Sequence, residues 1–235
     1  SYSVTGVQTC ALPIWVARYC QGRGRRVAVV SRGYGGKGAG AVGIVSDGRQ
    51  LLLGPEVAGD EPVLLARRNP QLIVVVAPRR AQGVRTAITE LGADLIILDD
   101  GFQHLAVRRD LDIVLLDAKR PLGNGRVLPA GLLREFPEVL ARGDLFILTR
   151  ADAGVASLDL PGPVLTSRHR LADRVTALDG QSFPLDELRG KRLVAFAGIA
   201  DPEAFFNDLR SKGLTLSETL AFPDHVTYNR AEIAR

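Results

Sequence analysis

The chain is poor in the residues that staple a fold or carry it through a membrane. Its two cysteines, Cys10 and Cys20, stand ten residues apart with neither a CxxC spacing nor a histidine cluster beside them. That pattern argues against a disulfide framework and a zinc site, and fits a reducing cytoplasm. No run approaches the roughly 18 apolar residues of a membrane-spanning helix, and the N-terminus lacks the basic-then-apolar layout of a secretory signal. Internal repeats and low-complexity tracts are absent. Lysine and arginine are scattered, and no aromatic-rich RNA-binding motif accompanies them, so nucleic acid is not an expected partner. The expectation is a protein that is soluble or, at most, peripheral to a membrane.

What is present suffices for a globular fold. With 235 residues, 46% hydrophobic and 24% charged, the chain can bury a core and form one large domain or two small ones. Thirty Lys and Arg against 26 Asp and Glu leave a formal charge of +4. That excess is compatible with a phosphorylated ligand, nucleic acid or an anionic membrane face, and alone does not choose among them.

Short β-branched runs recur at Val27 to Val30, Leu72 to Val76, Leu95 to Leu98, Ile113 to Leu116 and Leu145 to Leu148. Their nearly continuous apolar character marks strands covered by helices on both faces, as in a parallel, doubly wound α/β sheet. Helix-like stretches cover Trp15 to Gln21, Glu61 to Asn69, Arg79 to Leu91 and, in part, Glu135 to Arg142. Between Asp152 and Leu193 the pattern dissolves into Pro, Gly and polar residues, which reads as a linker or hairpin region. A strand, helix, strand unit follows at Leu193 to Ala197, Pro202 to Lys212 and Leu214 to Leu220. The expected organisation is a segment over residues 1–14, an α/β core over residues 15–165 and a linker with a smaller, incomplete α/β domain over 166–235.

Several segments can carry chemistry. Asp99 and Asp100 follow an apolar strand, and in open α/β sheets the carboxyl ends of strands face the ligand crevice. Two carboxylates there can hold a hydrated Mg²⁺ against phosphate oxygens; the plainer alternative is that Asp99 caps a turn and Asp100 is solvated. Gly101 to His104 then set an amide and an imidazole beside them. The loop from Ser31 to Gly38 is dense in glycine, and Arg32 and Tyr34 in it can bind sugar or phosphate. It is not a phosphate-binding P-loop, because Gly36-Lys37 is followed by Gly38 rather than Ser or Thr. Asp60 and Glu61 sit at a helix N-terminus, where capping alone would explain them. Asp224-His225 pairs a carboxylate with an imidazole. Arg126 and Arg134, in the Gly- and Pro-rich stretch after Asp117, can clamp phosphate or merely pair on the surface.

Six segments, SRGYGG (Ser31 to Gly36), GDEPVLLARR (Gly59 to Arg68), LDDGFQH (Leu98 to His104), PLGNGRVLPAGLLRE (Pro121 to Glu135), LTRAD (Leu148 to Asp152) and FPDH (Phe222 to His225), resemble in order and spacing the tetraacyldisaccharide 4′-kinase, or lipid A 4′-kinase, family. The resemblance implies a P-loop NTPase-like, mostly parallel α/β core with a smaller C-terminal domain. It also implies transfer of the ATP γ-phosphate to the 4′-hydroxyl of the lipid A disaccharide 1-phosphate precursor, with ATP and Mg²⁺, at the cytoplasmic face of a Gram-negative inner membrane. Carried over residue by residue, it implies Asp60 as catalytic base and His225 as the partner that tunes it. Glu61 and Asp99 would lie near Mg²⁺, and Arg32, Tyr34, Asp100, Gln103, His104, Asn124 and Glu135 around the glucosamine head group.

The chain departs from the family's pattern at both ends: the resemblance leads one to expect a hydrophobic N-terminal segment and further chain after Arg235 as well as a phosphate-binding loop. A GGTGKTP-like P-loop is expected just before the first helix, but Thr5 to Pro13 contains no lysine and no Gly-Lys-Thr. The lysine that would reach the β- and γ-phosphates is missing, so no cofactor-binding residue is assigned. Residues 1–14 look foreign to the family and read like translated adaptor sequence. The chain as written is therefore expected to bind ATP poorly and not to turn over, with a non-catalytic binder of anionic glycolipid or nucleotide as the alternative.

Overall fold

The computed structural model describes residues 11–33, 36, 42–151, 154, 158–168, 170–177, 179–199 and 201–223. Four strands form the first sheet: β1 (Val27–Ser31), β2 (Gly43–Asp47), β3 (Ile73–Val76) and β4 (Leu95–Leu98), in the order β2-β3-β1-β4. β3 and β4 both run parallel to β1, with Ala28 opposite Ile73 and Val27 opposite Leu95. β2 is antiparallel to β3, and its register shifts between Ile44 and Ser46. This edge strand was not expected from the sequence. It is created by a tight turn in which Asp47 Oδ1 accepts from the backbone amides of Arg49 and Gln50, at 2.8 and 2.9 Å, around Gly48 at φ 82°.

Because successive strand residues face opposite sides, β1 feeds two cores. Val27 and Val29 pack with Val74, Val76 and residues of helices α1 (Ala11–Gln21) and α3 (Asp60–Arg68), including Ala17, Val63, Leu65 and Ala66. Ala28 and Val30 pack on the other face with Ile73, Val75 and Ala87 of α4 (Arg80–Thr89). Burial on both faces is what the continuous apolar runs required. The short helix α2 (Pro55–Ala58) leads into α3 through Gly59. α1 begins at Ala11, four residues before the expected start, since Pro13 is tolerated in a first turn whose amides need no partner within the helix.

α4 lies close against the sheet at Gly83, where a Cβ would come within 2.8 Å of Val30 Cγ1 and 2.9 Å of Ala77 Cβ. Gly83→Val is expected to destabilise the fold by about 1–3 kcal/mol through overpacking, read as a lower urea midpoint. An unchanged midpoint would mean that α4 is free to lift from the sheet.

The remaining strands of the core, β5 (Ile113–Asp117), β6 (Leu145–Thr149) and β7 (Val164–Thr166), form a second sheet in the order β5-β6-β7. The sequence suggested one continuous sheet, yet among the described residues β4 and β5 are not paired. The anticipated helix from Glu135 is a 3₁₀ turn over Pro137–Arg142, stopped at Gly143.

The chain divides into two compact units, Ser1–Leu148 with Val155–Leu165, and Thr149–Gly154 with Thr166–Arg235. The second unit contains a hairpin, β8 (Arg174–Thr176) and β9 (Ser182–Pro184), turned at Asp179-Gly180. After it, β10 (Arg192–Ala197) and β11 (Thr215–Ala221) run parallel and are joined by α5 (Pro202–Ser211). Asp201 caps α5 by accepting from the Ala204 amide at 3.1 Å. Phe206 of this helix is fully buried against Ala195 and Ala197.

Candidate functional site

The site gathers at the carboxyl end of β4. The Asp99 amide donates to Val30 O at 3.1 Å, the last link to the sheet before the chain turns. Asp100 takes a left-handed conformation (φ 51°), which aspartate tolerates better than most residues. Gly101 is needed next, because a Cβ there would lie 2.6 Å from Leu98 Cβ. The His104 amide closes the turn on Gly101 O at 2.9 Å.

Asp99 is only 9% exposed. Burial first, then the nearby charges of Glu61 and Asp100, raise its carboxyl to about 7, and the Arg80 guanidinium offsets only part of this. Glu61, in the first turn of α3, and Asp99, at the end of β4, thus meet as the sequence suggested. Asp60 precedes Glu61 on the same helix end and is exposed.

Arg80 is a member of this site that the sequence did not single out. It opens α4, is buried, and donates to Ala77 O at 3.1 Å, with Asp99 O at a marginal 3.5 Å. Its Nε has no hydrogen-bond partner among the described residues. Arg32 acts on it as a like charge, and Asp99 and Asp100 as opposite ones. Nothing in the Pro78-Arg79-Arg80 run distinguishes the inward arginine from the outward one. The only signal is that Arg80, not Arg79, starts the helix beneath the strand ends.

Arg134 grips Asp100, with Nη1 at 2.9 Å from Oδ1 and 2.8 Å from Oδ2, and approaches Gln103 Oε1 at 3.5 Å. Glu135 accepts from Arg142 at 2.8 Å, and the Arg142 guanidinium lies over the Phe102 ring at 4.9 Å. His104 is half-buried and its Nε2 has no hydrogen-bond partner among the described residues. Burial, helped by Arg80 and Arg109, holds its imidazole below the usual histidine range, so it is neutral at pH 7. Arg109 ties down the loop behind it, binding Asp112 at 2.6 and 3.1 Å, His104 O at 2.7 Å and Val107 O at 3.2 Å.

The structure therefore brings together Arg32, Glu61, Asp99, Asp100, Gln103 and His104, with Glu135 alongside. Asn124 lies in the loop after β5, where its amide is already used: Nδ2 donates to Ala130 O at 2.9 Å, and Oδ1 accepts from the Arg126 amide at 3.1 Å. Tyr34 and His225 lie outside the described residues.

No cluster of three or more His, Cys, Asp or Glu among the described residues is arranged to cage a metal ion. Mg²⁺ does not need one. It keeps several waters and is usually held by one or two carboxylates together with substrate phosphates. Asp99, with excess negative charge around it and little solvent to disperse that charge, fits such an ion.

Comparison with known proteins places the chain. A family model described as tetraacyldisaccharide-1-P 4′-kinase matches residues 3–235. The tetraacyldisaccharide 4′-kinase of Syntrophotalea carbinolica is 57% identical over 229 residues, covering 97% of this chain and 64% of that protein. The enzyme of the same name from Geobacter metallireducens is 47% identical, covering 99% of this chain and 69% of its own length. A crystal structure of the LpxK protein from Aquifex aeolicus in complex with ATP superposes with a TM-score of 0.81 at 32% identity, covering 98% of this chain and 73% of that one. The chain thus spans about two-thirds of the length of the relatives it matches.

Proposed function

Because the chain belongs to the tetraacyldisaccharide-1-P 4′-kinase family, we propose that its architecture serves transfer of the ATP γ-phosphate to the 4′-hydroxyl of a lipid A disaccharide 1-phosphate, at the cytoplasmic face of the inner membrane. The observation that carries this reading is the buried Asp99 at the end of β4, beside Glu61 and Asp100, whose charge Arg80 offsets only in part. Phosphoryl transfer asks a protein for positioning, charge neutralisation and a base on the accepting hydroxyl.

Each residue then has a task. Asp60, exposed at the start of α3, takes the proton from the 4′-hydroxyl as its oxygen bonds to the γ-phosphorus and ADP departs; His225 tunes that base. Glu61 and Asp99 would hold Mg²⁺, which would supply charge neutralisation on the phosphate oxygens. Arg32, Tyr34, Asp100, Gln103 and neutral His104 orient the sugar, while Asn124 and Glu135 shape the loops beside it. Arg134 keeps Asp100 aimed. No helix among the described residues is long and apolar enough to cross a membrane, and contact with the membrane is proposed as peripheral.

The 235-residue chain lacks the Gly-Lys-Thr loop and, on this reading, does not turn over. The test is an assay with Mg²⁺-ATP and the disaccharide 1-phosphate on two proteins: the chain as written, and one carrying GGTGKTP in place of the stretch from Thr5 to Ala11. Transfer by the second alone is expected. Transfer by the first would overturn the assignment of inactivity, and head-group binding without transfer by both would favour the non-catalytic glycolipid binder. In the loop-restored protein, Arg134→Ala is expected to raise KM for the disaccharide about 10–100-fold, the loss of a charge-assisted contact. A KM unchanged in steady-state kinetics would remove Arg134 from the site.

A further inference from the structure

Helices α1 and α3 lie side by side on one face of the first sheet, where Ala17 of α1 shares a core with Val63, Leu65 and Ala66 of α3. Arg18 Nη2 donates to Arg68 O at 2.5 Å and Asn69 Nδ2 to Gln21 Oε1 at 2.7 Å, which ties the C-terminal ends of the two helices together. The outward face of this pair carries large apolar groups. Trp15 is 64% exposed and Tyr19, one turn on, is 49% exposed. Their rings stack at 5.7 Å, and the Arg23 guanidinium lies over the Tyr19 ring, 3.5 Å from its centre. On α3 the exposed residues are Asp60, Leu64, Arg67 and Arg68, with Leu64 42% exposed. Asp60 and Leu64 are four residues apart and so share one side of the helix.

Charge on this face is one-sided. Residues 11–26 and 62–72 hold Arg18, Arg23, Arg25, Arg26, Arg67 and Arg68 and no Asp or Glu. Asp94 pairs with Arg25 at 3.3 Å. Arginines in the last turn of a helix answer its dipole, which accounts for Arg18, Arg67 and Arg68. It does not account for a tryptophan, a tyrosine and a leucine left in water beside them. Exposed apolar groups rimmed by charge mark an interaction surface. Charge alone would suit any polyanion, but Trp15 and Leu64 call for apolar matter directly beneath the anionic layer. A lipid bilayer has that order, and Trp, Tyr and long-stemmed Arg are the side chains that settle at its headgroup boundary.

We propose that the outward face of α1 and α3 is the surface by which the protein lies on an anionic lipid bilayer. Trp15, Tyr19 and Leu64 enter the headgroup region, and Arg18, Arg67 and Arg68 meet lipid phosphates. The inference rests on the peripheral membrane contact proposed above and adds the direction of approach. Asp60 stands one helical turn from Leu64 on the same side of α3, so a bilayer against this face brings its headgroups level with the residue assigned as base. A substrate lipid can then offer a sugar hydroxyl to Asp60 while its acyl chains stay in the membrane.

Trp15 is the single tryptophan of the chain, so its emission reports on this face. The 235-residue chain is titrated with vesicles of phosphatidylglycerol and phosphatidylcholine in equal parts. Binding is expected to shift the Trp15 emission to the blue, and lipids brominated near the carbonyl end of their chains are expected to quench it. Arg67→Gln combined with Arg68→Gln is expected to weaken binding about tenfold or more, through the loss of two basic contacts with an anionic surface. Leu64→Glu, at an exposed position, should remove the quenching. Sedimentation with vesicles while the Trp15 emission stays put would place the contact on another face and overturn the proposal. So would no binding, or binding indifferent to phosphatidylglycerol or to the arginine substitutions. A blue shift that grows with protein concentration in the absence of vesicles would overturn it too, by assigning the face to a second copy. Neither ATP nor transfer enters the readout, so this test and that of the kinase reading fail separately.

Discussion

Replacing Asp99 by asparagine is expected to make the protein more stable at pH 8, by about 4 kcal/mol, while removing its response to Mg²⁺. The Asp99 carboxyl stands at about 7 in the fold against an ordinary 3.8, raised by burial and then by Glu61 and Asp100. A carboxyl with a raised value favours the folded state fully below pH 3.8, and that contribution is lost as the pH climbs through about 7. The span from 3.8 to about 7 converts to ~4 kcal/mol at ~1.4 kcal/mol per tenfold change in proton affinity. Asparagine has no proton to lose and escapes the penalty. Urea titrations at pH 5 and pH 8 should show the parent chain losing stability and the variant losing much less. At pH 8, Mg²⁺ should stabilise the parent and leave the variant unmoved. Parallel pH profiles would show that Asp99 is not the group that feels the cluster.

Asp60→Ala, in the loop-restored protein, is expected to lower kcat by about 10²–10⁴-fold, the usual contribution of a positioned base. The same change should alter the unfolding free energy by less than about 1 kcal/mol, because Asp60 is exposed and supports α3 chiefly through the helix dipole. The contrast between the two aspartates is the point of the pair. Asp99 stores charge at a cost to the fold, whereas Asp60, proposed as the base, is exposed at the start of α3. A fall in KM alone, with kcat preserved, would remove the base assignment.

Much of the architecture was legible because its signals are local. Val27 to Val30, Leu72 to Val76 and Leu95 to Leu98 read as strands from composition, and the turn after Leu98 from Asp-Asp-Gly. β2 was missed because Gly43–Asp47 carries only two β-branched apolar residues and owes its place to the Asp47 turn and to pairing with β3. The division into two sheets was not legible either. Apolar strands announce that they will be buried, not which neighbour will bury them. In the site, the carboxylates could be read from their places at element ends, whereas Arg80 could not: its inward course depends on α4 packing against the sheet at Gly83. Arg134 reads from the sequence as a phosphate clamp or a surface ion pair; that its partner is Asp100, 34 residues away in the chain, lies beyond any spacing rule.

The loop pinned by Arg109 has a mechanical consequence. Between most neighbouring strands, separation is set by a ladder of amides, each one weak and all of them redundant. Between β4 and β5 that ladder is absent among the described residues, and the intervening loop is gauged by one forked cation holding two carbonyls and a carboxylate. The planar guanidinium presents its donors in a fixed fork, so it sets direction as well as distance. Lysine would keep the charge but lose the fork. The aperture would then wander as a calliper does when its locking screw is loosened.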